Sequence, residues 1–395
     1  MRACMLAYAF YENDGRIRRY AESLIARGVE VDIISLRRKG QTRSEIVDGA
    51  HVFRIQERSR NESGKWDYFF KVAWFLINSF FFLTLRHMRV RYAIVHIHNV
   101  PDFEIFAALV PKLMGAKIIL DIHEPVPEIY AYKFNIKEDS IILRSLKIIE
   151  KLSCAFSDHV IITNDFCARK VCERAVKPEK CTSIINYPNL RIFSQLNSQK
   201  KSSAEYFTLI YPGSLNRHQG LDIAVKAMSM VRKEIPHARF HIYGEGPEKE
   251  NLKSLITDLK LNNIVLLHDS VNLSEVAHCM ATSDLGIVPK KADFFGDLAF
   301  STKILEFMAV GVPVVVSETL IDRFYFDESL VMFFNSEDEG DLATKILALY
   351  RDASLRLKLI NNGLQFIRQN NWQVKEVIYL KIINSILGTN LFSLS

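Results

Sequence analysis

The residues best able to do chemistry sit in a few short stretches that follow apolar runs. In Tyr211-Pro212-Gly213-Ser214-Leu215-Asn216-Arg217-His218-Gln219-Gly220, two glycines bracket Arg217 and His218 just ahead of a helical pattern. Backbone N–H groups and the dipole at a helix start favour an anion, and arginine adds paired donors, so this stretch suits a diphosphate. Further on, FSTKILEFMAVGVP (300–313) sets Lys303 and Glu306 three apart, on one helix face, with Ile304, Phe307 and Met308 on another. A carboxylate there can accept both hydroxyls of a ribose while the lysine meets phosphate; the plainer alternative is a surface ion pair of little energetic weight. Tyr243-Gly244-Glu245-Gly246-Pro247 begins like G-x-G-x-x-G, but the third glycine is missing and Pro247 stands near the helix start, which excludes a nicotinamide fingerprint.

The first half of the chain offers three more places. Asn13-Asp14-Gly15-Arg16 joins a strand to a helix, and Gly15 allows a ligand close to the backbone at a helix start. A plain tight turn explains it equally well. In Ala93-Ile94-Val95-His96-Ile97-His98-Asn99, the two histidines share one face of a strand, with His98 and Asn99 at its carboxyl end. A metal would need further ligands at telling spacing, and none is seen, so His96 reads as a core histidine and no metal site is expected. Asp121-Ile122-His123-Glu124-Pro125-Val126-Pro127-Glu128 also ends a strand, and its two prolines read as stiffening a loop that holds His123, Glu124 and Glu128; solvated loop charges are the alternative.

These stretches are positioned by a regular alternation of β-rich runs and helical patterns, which argues for parallel sheets covered by helices. In the first half the strands are expected at Met1–Ala9, Val29–Leu36, Ile94–His98, Lys117–Ile122 and His159–Thr163, with helices at Ile17–Arg27, Phe103–Met114 and Ile141–Phe156. SQLNSQKKSSAE, after Pro188, is polar and lacks an apolar period, so it reads as a linker. A second alternation then runs from Phe207 to Ser317. The expected layout is an N-terminal domain over 1–190, a linker over 191–205, a second domain over 206–370 and a C-terminal helical segment over 371–395. Ligands of such sheets lie beyond the carboxyl ends of the strands.

The chain has 395 residues, 49% hydrophobic and 24% charged, which suits two ordinary globular cores. Net charge is +6, unevenly spread: residues 1–200 hold 31 Lys and Arg against 22 Asp and Glu, and residues 201–395 hold 20 against 23. A basic first half points to an anionic partner or to nothing more than a solvated surface. The six cysteines form no C-x-x-C pair, so a reduced, cytoplasmic setting is expected. Met1–Phe10 reads as a buried strand, being too short for a signal peptide. Trp66–Leu85 (WDYFFKVAWFLINSFFFLTL) is nearly long enough to span a bilayer, but Asp67, Lys71 and Asn78 interrupt it and Arg86, Arg89 and Arg91 follow. A helix buried on a sheet is expected there, with interfacial membrane contact as the competing reading.

The chain resembles the family-4 retaining glycosyltransferases over nearly its whole length. SDLGIVPKKADFFGDLAFSTKILEFMAVGVPVVVS (283–317) resembles the family's donor-binding segment, YPGSLNRHQGLD its phosphate loop, and VHIHN and DIHEPVPE its N-terminal strand ends. Trp372–Leu387 is similar to the helix that crosses back onto the first domain. The resemblance implies an α/β architecture of GT-B type, with two Rossmann-like domains whose parallel sheets face across a cleft. It implies transfer of a sugar from a UDP- or GDP-linked nucleotide sugar, with retention and without a metal or other cofactor. Glu306 matches the second acid of the family's E-x7-E motif, which holds the ribose; the first acid falls on Leu298, where Asp297 or Asp293 would substitute. Gly15 matches the family's N-terminal glycine loop and His123 a histidine that contacts the donor sugar. The implied catalytic set is His123, Glu124, Arg217 and Lys303; donor contacts are Gly15, Gly213, Arg217, His218, Gly244, Lys303, Glu306 and Asp297; Asn99, His98 and Glu128 lie on the acceptor side. The implied acceptor is a lipid-linked or surface-polysaccharide glycan, with peripheral membrane contact through the basic N-terminal domain and no nucleic acid. A non-catalytic nucleotide-sugar-binding relative and a nucleotide-sugar 2-epimerase are the competing functions.

Overall fold

A computed structural model describes residues 1–58, 65–99, 101–134, 136, 137, 139–194, 205–390 and 392. Most of the expected linker, SQLNSQKKSSAE, lies outside these residues. The chain divides into two compact units, Met1–Asn186 with Glu376–Ser395, and Tyr187–Lys375. The sequence reading had placed the corresponding changes at 190 and 370.

The first unit is built on eight strands: β1 (Arg2–Ala7), β2 (Glu30–Arg37), β3 (Ser44–Val47), β4 (Ala50–Glu57), β5 (Ile94–His98), β6 (Lys117–Ile122), β7 (His159–Ile162) and β8 (Cys181–Ser183). Their order is β3-β4-β2-β1-β5-β6-β7-β8, and every pairing is parallel except β3 with β4. Both faces are covered, so the strands read as near-continuous apolar runs. The helices are α1 (Gly15–Ile25), α2 (Lys65–Val90), α3 (Leu109–Leu113), α4 (Val126–Phe134), α5 (Ile141–Phe156) and α6 (Asp165–Arg174).

Three features of this unit differ from the sequence expectation. The β3–β4 hairpin was not foreseen; it turns at Asp48-Gly49, both at positive φ (50° and 83°), as a two-residue hairpin turn requires. The helix expected at Phe103–Met114 is a 3-10 segment, Asp102–Ala108, followed by the short α3 containing Pro111. Pro125 lies in the loop as read, but Val126–Glu128 open α4: Pro127 is tolerated in the helix's first turn, where its missing N–H would have no partner.

The second unit has a six-stranded, all-parallel sheet of β9 (Phe207–Pro212), β10 (Ala238–Tyr243), β11 (Val265–His268), β12 (Leu285–Val288), β13 (Val314–Ser317) and β14 (Met332–Phe334), ordered β11-β10-β9-β12-β13-β14. It carries α7 (Leu221–Glu234), α8 (Lys249–Asp258), α9 (Leu273–Ala281), α10 (Thr302–Val310), α11 (Leu320–Tyr325), α12 (Glu339–Arg351) and α13 (Ala353–Gln369). The last helix, α14 (Trp372–Leu387), begins in this unit and continues in the first. Helix α10 lies very close to the sheet. A Cβ on Gly286 of β12 would fall 2.7 Å from the ring of Phe307, so only glycine lets α10 settle at this depth.

Candidate active site

In the second sheet, β10 and β11 extend to one side of β9, and β12, β13 and β14 to the other. The crossovers therefore diverge at β9 and β12, and a crevice opens beyond their carboxyl ends. The loop after β9 is shaped by glycine. Gly213 sits at φ 153° and donates its N–H to the Tyr243 carbonyl at 2.8 Å. A Cβ there would lie 2.4 Å from Lys303 Cε and 2.9 Å from its Nζ. Gly244 sits at φ 155°, and its Cβ would fall 1.8 Å from the Gly213 carbonyl oxygen. The two loops thus meet backbone to backbone, with the lysine laid across Gly213.

Lys303 is half-buried, its Nζ 5.0 Å from the centre of the Tyr211 ring. Burial pushes its pKa down to about 8; Glu306, one turn along α10, opposes that shift and Lys290 adds to it. Lys303 and Glu306 do share a neighbourhood, as their spacing predicts. Arg217 is exposed, with no ion-pair partner among the described residues. His218 packs edge-on to Phe295 at 4.8 Å, and its Nε2 lies 2.9 Å from Gln219 Nε2. Burial lowers its pKa, which favours the neutral ring. Gly220, at φ 66°, starts α7, and a Cβ there would come within 1.9 Å of the Pro289 carbonyl. The Lys291 N–H donates to the His218 carbonyl at 2.9 Å, so the loops after β9 and β12 are pinned together.

Sequence reasoning missed a buried pair beneath these loops. Lys290 donates to Asp322 at 2.9 Å and to the Ala299 carbonyl at 2.7 Å. Asp322 also accepts from Thr319 Oγ1 at 2.7 Å, while its other oxygen has no partner among the described residues; the same holds for Ser301 Oγ and Ser317 Oγ. The basic pair Lys290-Lys291 directly after an apolar strand was the available signal. Neither proposed substitute for the acid at 298 is free of internal duty: Asp297 accepts from the Leu320 N–H at 2.9 Å and Asp293 from the Gly296 N–H at 2.7 Å. Leu298 itself is buried.

In the first unit the polar residues converge at the ends of β1, β5 and β6 and pair largely with one another, although His96 Nε2 and His98 Nε2 have no hydrogen-bond partner among the described residues. Asp14 caps α1, accepting from the N–H groups of Arg16 (3.0 Å) and Ile17 (3.1 Å). The Arg16 guanidinium forks onto both oxygens of Asp121 at 2.8 Å and also donates to the Ile184 carbonyl at 2.7 Å. Burial would raise the Asp121 pKa, but Arg16, His123 and His98 together outweigh it and hold the carboxyl well below its usual range. His98 Nδ1 lies 3.2 Å from Asp121 Oδ2 and 3.2 Å from His123 Nε2. Burial lowers the pKa of His98 against the pull of Asp121. His96 stacks on His98 with ring centres 4.2 Å apart and contacts the Tyr379 hydroxyl at 3.1 Å, the core role expected of it. Among the described residues, His96, His98 and Asp121 form the one grouping of metal-ligand types. Arg16 already neutralises its carboxylate, so a cation would have to displace a guanidinium.

The three residues read as acceptor-side are each held by partners within the unit. Asn99 donates to Asp102 and to the Glu124 carbonyl (3.2 Å) and accepts from the His123 N–H (2.9 Å), so it braces the loop that carries His123. His98 is buried in the network above. Glu128 is held by Arg174, which also grips the buried Glu150. Glu124 is exposed, and His123, half-buried, is the outermost member of the Arg16–Asp121–His98 chain. Gly15 opens α1; a Cβ there would meet only Arg19, at 3.8 Å.

Two family models match the chain: Glycosyltransferase Family 4 over residues 16–187 and Glycosyl transferases group 1 over residues 194–366. A D-inositol 3-phosphate glycosyltransferase of Arthrobacter sp. (strain FB24) is 30% identical over 155 residues, 38% of this chain and 36% of that protein. The match thus spans little more than a third of that relative's length. Among solved structures, a sucrose-phosphate synthase from Thermosynechococcus elongatus superposes with a TM-score of 0.76 at 17% identity, covering 98% of this chain and all of that one. Anabaena HepE in complex with UDP-glucose gives 0.70 at 14% identity, with 98% and 100% covered.

Proposed function

The chain belongs to glycosyltransferase family 4 and has the GT-B type of fold, and from that premise we propose that it moves a sugar from a UDP- or GDP-linked nucleotide sugar to a glycan or lipid-linked acceptor, with retention at the anomeric carbon and without a metal. The observation that carries this reading is Lys303 laid across Gly213 at the point where the second sheet's crossovers diverge, with Arg217 exposed on the same loop. A diphosphate placed there meets two cations and the start of α7. Its negative charge grows as the sugar leaves, so donors fixed in advance stabilise that change more than the bound substrate. Glu306, one turn from Lys303, is placed to accept the ribose hydroxyls. In the first unit, His123 is the ring we assign to the transferred sugar, aimed by Asn99 at its backbone and by Asp121 and His98 at its side chain. A lipid-linked acceptor would have the enzyme work as a peripheral protein on the cytoplasmic face of a membrane.

The test is a thermal-shift screen against a panel of nucleotide sugars, because a ligand of the folded state raises apparent stability. One donor is expected to raise the midpoint, and Arg217→Ala and Glu306→Ala are each expected to abolish that shift and cut transfer without altering the unliganded midpoint. Wild-type transfer by both variants rejects the assignment.

A further inference from the structure

Helix α2 is apolar on its outward face as well as on its inward one. From residue 70 to 88, every fully exposed position carries a large apolar side chain: Phe70, Trp74, Ile77, Phe81, Leu85 and Met88, each 46–66% exposed. The opposite stripe, turned to the sheet, holds Val72, Phe75 and Leu83 but also Ser79 and His87. Ser79 Oγ and His87 Nε2 are buried with no partner among the described residues. An ordinary surface helix carries polar and charged residues on its outward face. The six exposed residues recur about every 3.6 positions, so they run straight along the helix for roughly 27 Å. A straight line of side chains touches a plane along its whole length, whereas a seam for a second helix repeats every 3.5 or so.

Exposed apolar residues continue beside α2. Helix α3 packs next to α2, and α5 packs next to the 3-10 segment that leads into α3. Leu113 is exposed on α3, and Ile141, Ile148 and Leu152 on α5, while Glu150 and Ser153 of α5 are buried. Arg144, Lys147 and Lys151 stand among the α5 apolar residues, and Arg89 and Arg91 at the end of α2, all exposed. No exposed carboxylate stands on these three helices among the described side chains.

We propose that this face docks on an anionic lipid bilayer, with the α2 stripe at the level of the upper acyl chains and the basic residues among the headgroup phosphates. No helix among the described residues is long and apolar enough to cross a membrane, which leaves α2 lying in the interfacial plane. A second copy would set like charges against like. The docking is read from α2 and its neighbours; it leans on the glycosyltransferase reading only in giving a lipid-linked acceptor a surface to be met on.

Flotation of the full chain with phosphatidylcholine vesicles, with and without phosphatidylglycerol, tests this. The protein is expected to float with the anionic vesicles and to be released by salt. Trp74→Glu combined with Phe81→Glu is expected to weaken binding by about a hundredfold, the loss of two large inserted side chains. Lys147→Glu with Lys151→Glu is expected to weaken it about tenfold or more and to flatten the salt dependence. Both pairs are exposed, so the unfolding midpoint and the thermal shift with nucleotide sugars are expected to stay at wild-type values; failure of docking is thereby read separately from failure of the donor reading. The proposal is overturned by a wild-type chain that stays with neither vesicle, by flotation indifferent to the Trp74/Phe81 change, or by a lipid-free dimer that the same change dissociates.

Discussion

The two units spend their charges differently. In the first, Arg16, Asp121, His98 and His123 form a closed chain in which a buried guanidinium answers a buried carboxylate on both oxygens. In the second, Arg217 stands exposed without an ion-pair partner among the described residues, and Lys303 is held where burial pushes its pKa down to about 8. A cation kept at a disadvantage in the free protein gains most from an arriving anion; a saturated pair has nothing left to offer one. On the proposed reading, the contrast favours the second unit as the place for a diphosphate and leaves the first unit's network, although richer in ionisable groups, to hold His123 in position.

The sharpest way to break this comparison is to remove a cation from each side. Lys303→Met is expected to cut turnover by about 10²–10³, the usual loss when a preorganised donor to developing charge is deleted, while the unfolding midpoint holds or rises, because a disfavoured charge is gone. Steady-state kinetics and thermal unfolding check both halves. Asp121→Asn should behave in the opposite way, leaving Arg16 buried without its anion and costing about 3–5 kcal/mol of stability, measurable by denaturant titration. The Asp121 carboxylate's folded pKa lies below its ordinary value, so its contribution is complete above about pH 4 and is lost as the pH falls further.

A third prediction follows from the lysine's titration. Free Lys303 loses its proton as the pH rises through about 8, whereas a bound diphosphate would hold it. Donor affinity should therefore fall by up to about tenfold for each pH unit above 8, with proton uptake on binding. Calorimetry in two buffers of different ionisation enthalpy reads that uptake, which should vanish in Lys303→Met. The sign for stability is separate: the cost of the depressed pKa is fully present below about pH 8 and is relieved as the pH rises towards the ordinary lysine value. The smallest effect is expected at Gly15. Nothing inside the protein forbids a side chain there, so Gly15→Ala should leave stability unchanged or raise it by about 0.5–1 kcal/mol, and any rise in donor KM would mark the space as reserved for a ligand.

Much of this was legible in the sequence because it rests on periodicity and on chain-local turns. The strand–helix alternation, the loop at 212–220 and the Lys303–Glu306 spacing are all local patterns. What escaped was set by long-range pairing. Nothing within eight residues of Asn99 says that its amide will brace the Glu124 carbonyl and the His123 N–H, and the Glu128–Arg174–Glu150 cluster joins positions up to 46 apart. Pro127 reads as a loop residue because a helix's first turn and a stiff loop tolerate the same residue. The Asp48-Gly49 hairpin was a readable signal that the reading passed over.

Gly286 gives the second unit an unused adjustment. The ring of Phe307 rests where a side chain at 286 would be, so the depth at which α10 sits depends on an absent methyl group. Enlarging that residue would lift the helix, and Lys303 would ride with it away from Gly213. A laboratory or a lineage could therefore retune the position of Lys303 over Gly213, and with it the proposed grip on a donor, by editing a residue on the strand beneath while leaving the residues assigned to the donor unchanged.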